Sequence, residues 1–484
     1  MKKTLLIIFV SVSMMAFSQK SITWGMGTSI STNTYGNMHP RLSLDGAGNP
    51  LVVWGRMSDE SVMFSRWNGS MFTIPVKLNP SWLKVATASW MGPDIASKGG
   101  TVYIVIKQTP EGSDTNHIYV LTSFNGGATF LPPVRVDFIA DSLSRFPTVT
   151  IDATGNPIIA FMKFNSSFME PRWVVTKSSD YGKTFSKDVN ASGYSGTNSE
   201  ACNCCPGAIV SSGNVSAMLY RDNLSNIRDI WTGVSTNNAM SFSTGFATDK
   251  TNWMIMSCPS SGPDGVIVGD SLYSVFLSGA GGVYRTYLST SSLSSGATGA
   301  VYKLKASLAG LGQQNYPRIA SNGIAMAIVW KQTVGGNAQL PIMFTRNITK
   351  GFGLAYDTVD LGDITNADVA ISENKVFVVW QDDNSGTLKY RMGTYSPITS
   401  ISEARQNDFT VTPNPASEAI SLLSDNVIQN ADVSIVNFWG EIVISRTINS
   451  NSTAEIDVSG LSTGIYFITI KSDNKFITQK FIKE

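Results

Sequence analysis

The fold is decided by residues 146–185, which read FPTVTIDATGNPIIAFMKFNSSFMEPRWVVTKSSDYGKTF. An alternating apolar run at Phe146–Val149 leads into the turn-forming segment Asp152–Pro157, and a second apolar run, Ile158–Phe161, follows it. Asp, Gly, Asn and Pro between two such runs favour a tight turn, so the pattern predicts a β-hairpin. A third strand is predicted at Trp173–Thr176 before the next turn.

The same unit recurs along most of the chain at a spacing of about 50 to 60 residues. Its copies begin near His39, Gly92, Phe146, Pro206, Pro263, Pro317 and Asp368. Equivalent second strands read Val-Val-Trp at 52–54, Ile-Val-Trp at 328–330 and Val-Val-Trp at 378–380. A repeat of this length holds about four short strands, which is typical of a β-propeller blade.

We therefore predict an all-β chain with a β-propeller over residues 19–400, with seven blades favoured. Six blades is the alternative if the fifth unit is irregular, and a two-sheet sandwich is the remaining alternative for a string of short strands. The seventh unit ends near Tyr395 after three strands, which would leave an unpaired edge. We expect the N-terminal segment Ser21–Trp24 to supply the missing outer strand and close the ring.

A second motif follows the third strand of several units. It reads Ser-Asp-Tyr-Gly-Lys-Thr-Phe at 179–185, with a related copy at 123–130 and weaker ones at 235–242 and 65–69. These segments resemble the Asp-box of sialidases and other neuraminidase-repeat propellers, written S-x-D-x-G-x-T-W/F. The resemblance implies a propeller in which these turns lie away from the active face, so it indicates a fold rather than a reaction.

Composition narrows the functional classes. Among 484 residues, 36 Lys and Arg nearly balance 35 Asp and Glu, which argues against a broad nucleic-acid-binding surface. Apolar residues make up 42% of the chain, enough to build a core and to exclude a disordered protein.

The N-terminus has the features of an export signal. Lys2 and Lys3 precede an apolar run from Leu5 to about Met15, and Ala16-Phe17-Ser18 ends in small residues at the positions before a cleavage site. Because this run is shorter than the roughly 20 residues that cross a bilayer, we predict a signal peptide at 1–18 and no membrane span.

The last part of the chain shows a different pattern. Its motifs are Pro-Asn-Pro-Ala at 413–416, Gly-Glu-Ile-Val at 440–443, Leu-Ser-Thr-Gly-Ile-Tyr at 461–466 and a terminal Lys-Phe-Ile-Lys at 480–483. Together they resemble the C-terminal sorting domain of the type IX secretion system of Bacteroidota. The resemblance implies that residues 401–484 form a small immunoglobulin-like β-sandwich, read by the outer-membrane secretion machinery as their partner. The implied destination is the cell surface or the medium.

All four cysteines fall in one part of the predicted ring. Cys202, Cys204 and Cys205 precede the fourth first strand, and Cys258 precedes the fifth. In an exported protein, four neighbouring cysteines favour two disulfides, for which Cys202–Cys205 with Cys204–Cys258 is one scheme. The alternative is a soft-metal site in which these thiolates bind copper or zinc. The surrounding sequence resembles a subgroup of secreted sialidase-like propellers.

Cations gather where strands are expected to meet one face. Basic residues follow several second strands, at Arg56, Lys107, Lys163, Arg221 and Lys331, and others start first strands, at Arg41, Arg145 and Arg318. Such a set predicts binding of a carboxylate, sulfate or phosphate. Since sialidases grip a sialic acid carboxylate with three arginines on this face, the resemblance implies that role for Arg41, Arg145 and Arg318. Simple solvation of exposed strand ends is the alternative explanation.

A retaining sialidase also needs a tyrosine nucleophile, an activating carboxylate and an acid/base carboxylate. Tyr316, Glu200 and Asp59 are the candidates by position. The family's F/Y-R-I-P motif is missing, since the chain reads Pro40-Arg41-Leu42, and this departure argues against hydrolysis.

Three functions follow from these observations. The favoured one is an exported sialidase-like propeller that binds an anionic glycan or another extracellular ligand at its axial face. The alternatives are an active exo-sialidase and a non-catalytic surface adhesion or structural module.

Overall fold

Apolar residues at a period of two form strands in almost every segment of the computed structural model. Contacts divide the chain into two compact units, one ending at Pro397 and the other beginning at Ile398. The structure describes residues 21–31, 36–112, 116–137, 142–305, 307–353, 355–397, 410–423, 428–437, 441–450, 453–472 and 475–484. The predicted signal peptide at 1–18 lies outside these residues.

The first unit starts with two short strands and continues with antiparallel sheets; five of these have four consecutive strands, and sheets 4 and 7 have five strands each, the first two strands of the chain belonging to sheet 7. The opening strands are β1 (Thr23–Trp24) and β2 (Thr28–Ser29). Sheet 1 contains β3 (Asn37–Leu44), β4 (Pro50–Arg56), β5 (Ser61–Arg66) and β6 (Val76–Lys77), with a 3₁₀ helix at Met57–Asp59. Sheet 2 contains β7 (Asp94–Lys98), β8 (Thr101–Lys107), β9 (Ile118–Ser123) and β10 (Val134–Arg135). Sheet 3 contains β11 (Ser142–Ile151), β12 (Pro157–Asn165), β13 (Arg172–Lys177) and β14 (Val189–Asn190).

The remaining sheets of this unit repeat the same order. Sheet 4 contains β15 (Glu200–Ala201), β16 (Ala208–Ser212), β17 (Val215–Asn223), β18 (Ile230–Ser235) and β19 (Thr244–Ala247). Sheet 5 contains β20 (Asp264–Val268), β21 (Ser271–Ser278), β22 (Arg285–Ser292) and β23 (Thr298–Lys303). Sheet 6 contains β24 (Leu311–Ser321), β25 (Met326–Val334), β26 (Asn337–Thr345), a 3₁₀ helix at Ile348–Lys350 and β27 (Asp357–Leu361). Sheet 7 contains β28 (Ile364–Ile371), β29 (Lys375–Asp382) and β30 (Thr387–Thr394).

The first strands of the sheets form a closed ring. In order, β3, β7, β11, β16, β20, β24 and β28 each contact the next, and β28 contacts β3. The described residues thus place seven sheets around one axis, and the predicted β-propeller architecture is confirmed. A two-sheet sandwich is excluded for this unit.

The N-terminal segment completes sheet 7. Strand β1 pairs antiparallel with β30, with Thr23 opposite Thr394 and Trp24 opposite Gly393. The pairing covers an edge that three strands alone would leave open, as the sequence predicts.

The second strands carry the core. Trp54, Trp330 and Trp380 occupy equivalent places in sheets 1, 6 and 7, and all are fully buried. The indole N–H of Trp54 donates to Asn37 Oδ1 at 2.9 Å, and that of Trp330 donates to Gln332 Oε1 at 2.8 Å. These large side chains fill the wedges between neighbouring sheets.

The second unit contains two sheets of its own. One has β31 (Thr410–Thr412), β32 (Ala419–Leu423) and β35 (Thr453–Asp457), and the other has β33 (Ile428–Asn437), β34 (Ile442–Ser450), β36 (Gly464–Ser472) and β37 (Lys475–Lys483). Buried residues of both sheets, among them Ile420, Leu422, Ile435 and Ile468, share one hydrophobic core. This is the small β-sandwich that the sequence predicts.

Candidate functional site

Bulges in the first strands direct bulky side chains to the propeller axis. His39, Phe146, Tyr316 and Asn366 occupy the same position in their strands and have φ of 56°, 54°, 52° and 51°. The strand register shifts around each of them. A positive φ in a residue other than glycine costs on the order of 1 kcal/mol, and such strain concentrates at functional sites.

These four residues line a small open pocket on the axis, with a cavity volume of about 60 Å³. The segment Ser89–Met91, which joins sheets 1 and 2, forms another part of the wall. Asn366 Nδ2 donates to the carbonyl oxygen of Ser89 at 2.6 Å, and the rings of Trp90 and Phe146 meet edge-to-face at 5.7 Å. The segment therefore spans from sheet 7 to sheet 3.

Three aspartates of first strands join neighbouring sheets; Asp264 and Asp368 are buried and Asp94 is half-buried. Asp94 Oδ2 accepts from the Thr148 hydroxyl at 2.8 Å and from the Val149 N–H at 3.1 Å. Asp264 Oδ2 accepts from the Ile319 N–H at 2.9 Å. Asp368 Oδ2 accepts from the Leu42 N–H at 2.8 Å, across the junction where the ring closes.

The positive charge of Arg318 is balanced by two of these aspartates. Its Nε lies 3.3 Å from Asp264 Oδ2 and 3.1 Å from Asp368 Oδ1. Burial alone would lower the pKa of Arg318, but the attraction of Asp264 and Asp368 outweighs burial and raises it. A ligand carboxylate would compete here with two resident carboxylates.

Arg41 has a different environment at the equivalent position of sheet 1. Its Nη1 donates to the carbonyl oxygen of Pro40 at 2.8 Å, and its Nη2 donates to His39 Nε2 at 2.7 Å. No carboxylate oxygen of the described residues lies within 4.0 Å of its guanidinium nitrogens. Burial, together with the nearby Arg318 charge, lowers the pKa of Arg41 to about 10, and the more distant carboxylates of Asp368, Asp94 and Asp264 oppose this shift. The pocket therefore has a cation without a direct counter-ion.

His39 is held neutral beside this cation. Burial is the main cause, and the charges of Arg41 and Arg318 add to it, so the pKa of His39 lies well below its usual value. Because a guanidinium can only donate, Nε2 of His39 is the acceptor and its proton is on Nδ1.

The other predicted cations lie outside the pocket. Arg145 Nε donates to Glu111 Oε1 at 2.7 Å, and its guanidinium packs over the rings of Phe164 and Phe168. Lys331 Nζ pairs with Asp363 Oδ1 at 2.9 Å. The structure therefore brings together only Arg41 and Arg318 of the expected arginine trio.

Arg221 is fully buried and serves the protein itself. Its Nη1 donates to the carbonyl oxygen of Arg228 at 2.6 Å, and its Nη2 donates to that of Leu277 at 2.8 Å. The guanidinium also lies 5.0 Å from the centre of the Trp253 ring. This arginine joins sheets 4 and 5 and is not presented to a ligand.

The candidate catalytic residues are not assembled. Tyr316 lines the axial pocket, and burial raises its pKa, with a further contribution from Asp383. Glu200 is exposed on β15. Asp59 binds Arg56 at 2.6 Å, and hydrogen bonding from Arg56 is the main cause that lowers the pKa of Asp59. Neither Glu200 nor Asp59 lines the pocket with Tyr316.

The four cysteines do come together. The sulfur atoms of Cys202, Cys204, Cys205 and Cys258 lie within 4.8 Å of one another. Cys204 and Cys258 form a disulfide, which is half of the predicted scheme. Cys202 and Cys205 are buried free thiols whose sulfurs are 3.0 Å apart. Pro206, which follows this cluster directly, lines the axial pocket.

The surroundings of the two thiols shift their pKa values in opposite directions. A hydrogen bond from Cys205 is the main cause that lowers the pKa of Cys202 to about 6, and Arg221 and Arg228 contribute to the shift. Arg228 Nη1 lies 3.1 Å from Cys202 Sγ. Burial raises the pKa of the Cys205 thiol.

Sequence reasoning missed Asp94, Asp264 and Asp368, although each occupies in its own repeat the position that Arg41 and Arg318 hold in theirs. Comparing that position among all repeats would have found them. Trp90 and Asn366 gave no such signal, since their contact with the axis depends on how the segment 89–91 folds.

Comparison with known proteins identifies the second unit. Residues 410–484 match the family described as "Secretion system C-terminal sorting domain". This is the type IX sorting domain, so the protein is exported to the cell surface or the medium. No helix among the described residues is long and apolar enough to cross a membrane.

No curated protein matches the chain. Solved structures that resemble it include Hadza microbial sialidase Hz136, which is 12% identical with a TM-score of 0.46, covering 76% of this chain and 68% of that one. The PL25 ulvan lyase is 10% identical with a TM-score of 0.48, covering 76% and 93%. The α-L-arabinofuranosidase of Fusarium graminearum in complex with arabinobiose is 11% identical with a TM-score of 0.46, covering 77% and 98%.

Proposed function

We propose that the protein is an exported glycan-binding propeller that holds an acidic sugar in its axial pocket. The observation that carries this proposal is the Arg41 guanidinium, which lines the pocket without a direct counter-ion. A carboxylate that reached it would form a charge-assisted pair in a partly desolvated site.

The walls of the pocket suit a sugar ring. Trp90, Phe146 and Tyr316 line the pocket with aromatic surface that suits the C–H face of a saccharide, and His39 and Asn366 add buried polar side chains. A few polar groups among apolar and aromatic walls are the usual composition of a small-molecule site. Because Arg318 is already paired with two aspartates, we assign the anionic group to Arg41.

A glycan array with the exported protein tests this function. We expect acidic glycans to bind, Arg41→Gln to abolish their signal, and Arg145→Gln to leave it unchanged, since Arg145 pairs with Glu111 outside the pocket. Thermal unfolding of both variants checks that the fold survives. A blank array for the unmodified protein, or equal loss in both variants, would contradict the proposal.

The exo-sialidase alternative has a separate test. Release of 4-methylumbelliferone from its sialoside, lost in Tyr316→Phe, would establish hydrolysis. We expect no release, because neither Glu200 nor Asp59 lies in the pocket with Tyr316. Binding without turnover fits the proposed function, whereas neither binding nor turnover would favour an adhesion or structural role.

A further inference from the structure

The cysteine cluster contains two thiols that the disulfide leaves over. With Cys204 bound to Cys258, the sulfurs of Cys202 and Cys205 face each other at 3.0 Å, and Cys202 Sγ is 3.6 Å from Cys204 Sγ. Two thiolates on one metal ion, with metal–sulfur bonds of about 2.3 Å, separate their sulfurs by about 3.8 Å in tetrahedral geometry and by up to about 4.6 Å when the bonds are in line. The pair must therefore open by about 0.8 to 1.6 Å to accommodate a metal ion.

The surroundings of the pair favour anionic sulfur. Arg228 Nη1 donates to Cys202 Sγ at 3.1 Å, and the buried cation Arg221 lies close by. Donors that surround sulfur ligands in this way stabilise metal-bound thiolates, whereas a neutral disulfide would gain little from them.

Two exposed methionines lie just before Cys258, which the disulfide joins to Cys204 in the cysteine cluster. Met254 and Met256 are 69% and 87% exposed and precede Cys258 by four and two residues. The Ile255 N–H donates to the Asn226 carbonyl oxygen at 2.9 Å, and the Arg228 N–H donates to that of Trp253 at 2.8 Å. The methionine segment thus runs beside the hairpin that carries Arg228.

We propose that Cys202 and Cys205 bind one Cu(I) ion as thiolates, and that Met254 and Met256 offer thioether ligands as the ion enters. Thiolate and thioether together select Cu(I), because zinc does not take thioether ligands and normally requires four nitrogen, sulfur or oxygen donors. Each thiol releases a proton to solvent as its Cu–S bond forms. No electron is transferred, and the Cys204–Cys258 bond stays intact.

Competition for Cu(I) against bicinchoninate, under anaerobic conditions with the mature exported protein, tests this site. We expect one Cu(I) per chain and no such binding in Cys202→Ser/Cys205→Ser. In Met254→Leu/Met256→Leu we expect about tenfold weaker binding, in the range for residues that support a metal site. Met240→Leu is the matched control, since Met240 is also 69% exposed but lies on another turn.

If the cysteine variant fails to fold, the methionine variant still tests the site. Met254 and Met256 are exposed, so their replacement should leave the fold intact. Iodoacetamide labelling of the denatured, unreduced protein, read by mass spectrometry, should find Cys202 and Cys205 alkylated. The proposal is overturned by the absence of competition, by unchanged binding in the methionine variant, by Zn²⁺ displacing Cu(I), or by a Cys202–Cys205 disulfide. None of these results bears on glycan binding, which the Arg41→Gln array measures separately.

Discussion

At the scale of the residue, neighbours decide what an arginine can do. Arg41 and Arg318 occupy equivalent positions of sheets 1 and 6, yet one lacks a direct carboxylate and the other has two. The first is suited to an external anion, and the second holds the ring together. Residue type alone does not separate these roles, because the acids come from strands distant in sequence.

The ion pairs of Arg318 at the axis predict that a single substitution of a partner aspartate lowers the free energy of unfolding substantially. Asp368→Asn keeps an oxygen for the Leu42 N–H but removes the charge that faces Arg318. We expect the free energy of unfolding to fall by about 2 to 4 kcal/mol, as when one partner of a buried pair is removed.

Chemical denaturation measures this loss, and Asp363→Asn is the control. Asp363 forms an exposed pair with Lys331, so its substitution should cost no more than about 1 kcal/mol. Equal effects of the two changes would show that the axial acids are not structural.

The neutral state of His39 predicts a pH dependence. Because the pKa of His39 is lower in the folded protein than in the unfolded chain, the unfolded chain takes up the proton first as the pH falls. Below about pH 6.5, the free energy of unfolding should therefore decrease, by up to about 1.4 kcal/mol per pH unit.

Denaturation at a series of pH values measures this slope in the original protein and in His39→Asn. Asparagine is suited to the left-handed backbone here, as Asn366 shows at the equivalent position. We expect a shallower slope in His39→Asn, and an unchanged one in Phe146→Leu, which alters the same pocket without removing a titratable group. An identical slope in His39→Asn would argue against a buried neutral histidine.

At the scale of the element, short polar side chains fix the turns. Asp180 Oδ1 accepts from the Ser178 hydroxyl at 2.7 Å and from the Thr184 N–H at 2.9 Å, which closes the turn between β13 and β14. Asn125 and Asn237 accept equivalent bonds after β9 and β18.

Different substitutions of Asp180 should lower the free energy of unfolding to different extents. Asp180→Ala should lower the free energy of unfolding by about 1 kcal/mol, because turn N–H and hydroxyl groups lose their acceptor. Asp180→Asn should be nearly neutral, since asparagine fills this role in two other sheets. Lys183→Ala on the same turn is the control, and differential scanning calorimetry of the three variants would refute the series if Asp180→Asn were the most harmful.

Repeats made the elements predictable, whereas the site depended on contacts that repeats do not encode. The hairpin at 146–161 and the closing strand at Ser21–Trp24 followed from local pattern and from the cost of an open edge. The pairing of Arg145 with Glu111 and the burial of Arg221 did not, because both involve partners outside the repeat pattern. Proximity of the four cysteines was predictable from the ring order, and their division into one bridge and two thiols was not.

At the scale of the whole molecule, two units have two separate tasks. The propeller presents the axial pocket, and residues 410–484 direct export. Removal of residues 398–484 should leave the truncated protein inside the cell envelope, because the secretion machinery then has no sorting domain to read.

Cell fractionation with immunoblotting measures the distribution of the truncated chain. A fluorescent protein that carries the predicted signal peptide and residues 398–484 is the control, and we expect it outside the cell. Export of the truncated chain at the original level would contradict the assigned role of the second unit.

The most direct measurement is a crystal structure of the exported protein soaked with the acidic glycan that gives the strongest array signal. We predict that the sugar carboxylate lies about 2.8 Å from the Arg41 guanidinium, with the sugar ring against Tyr316 and Trp90. A glycan bound outside the axial pocket, or a carboxylate bound to Arg145 instead, would contradict the proposed function.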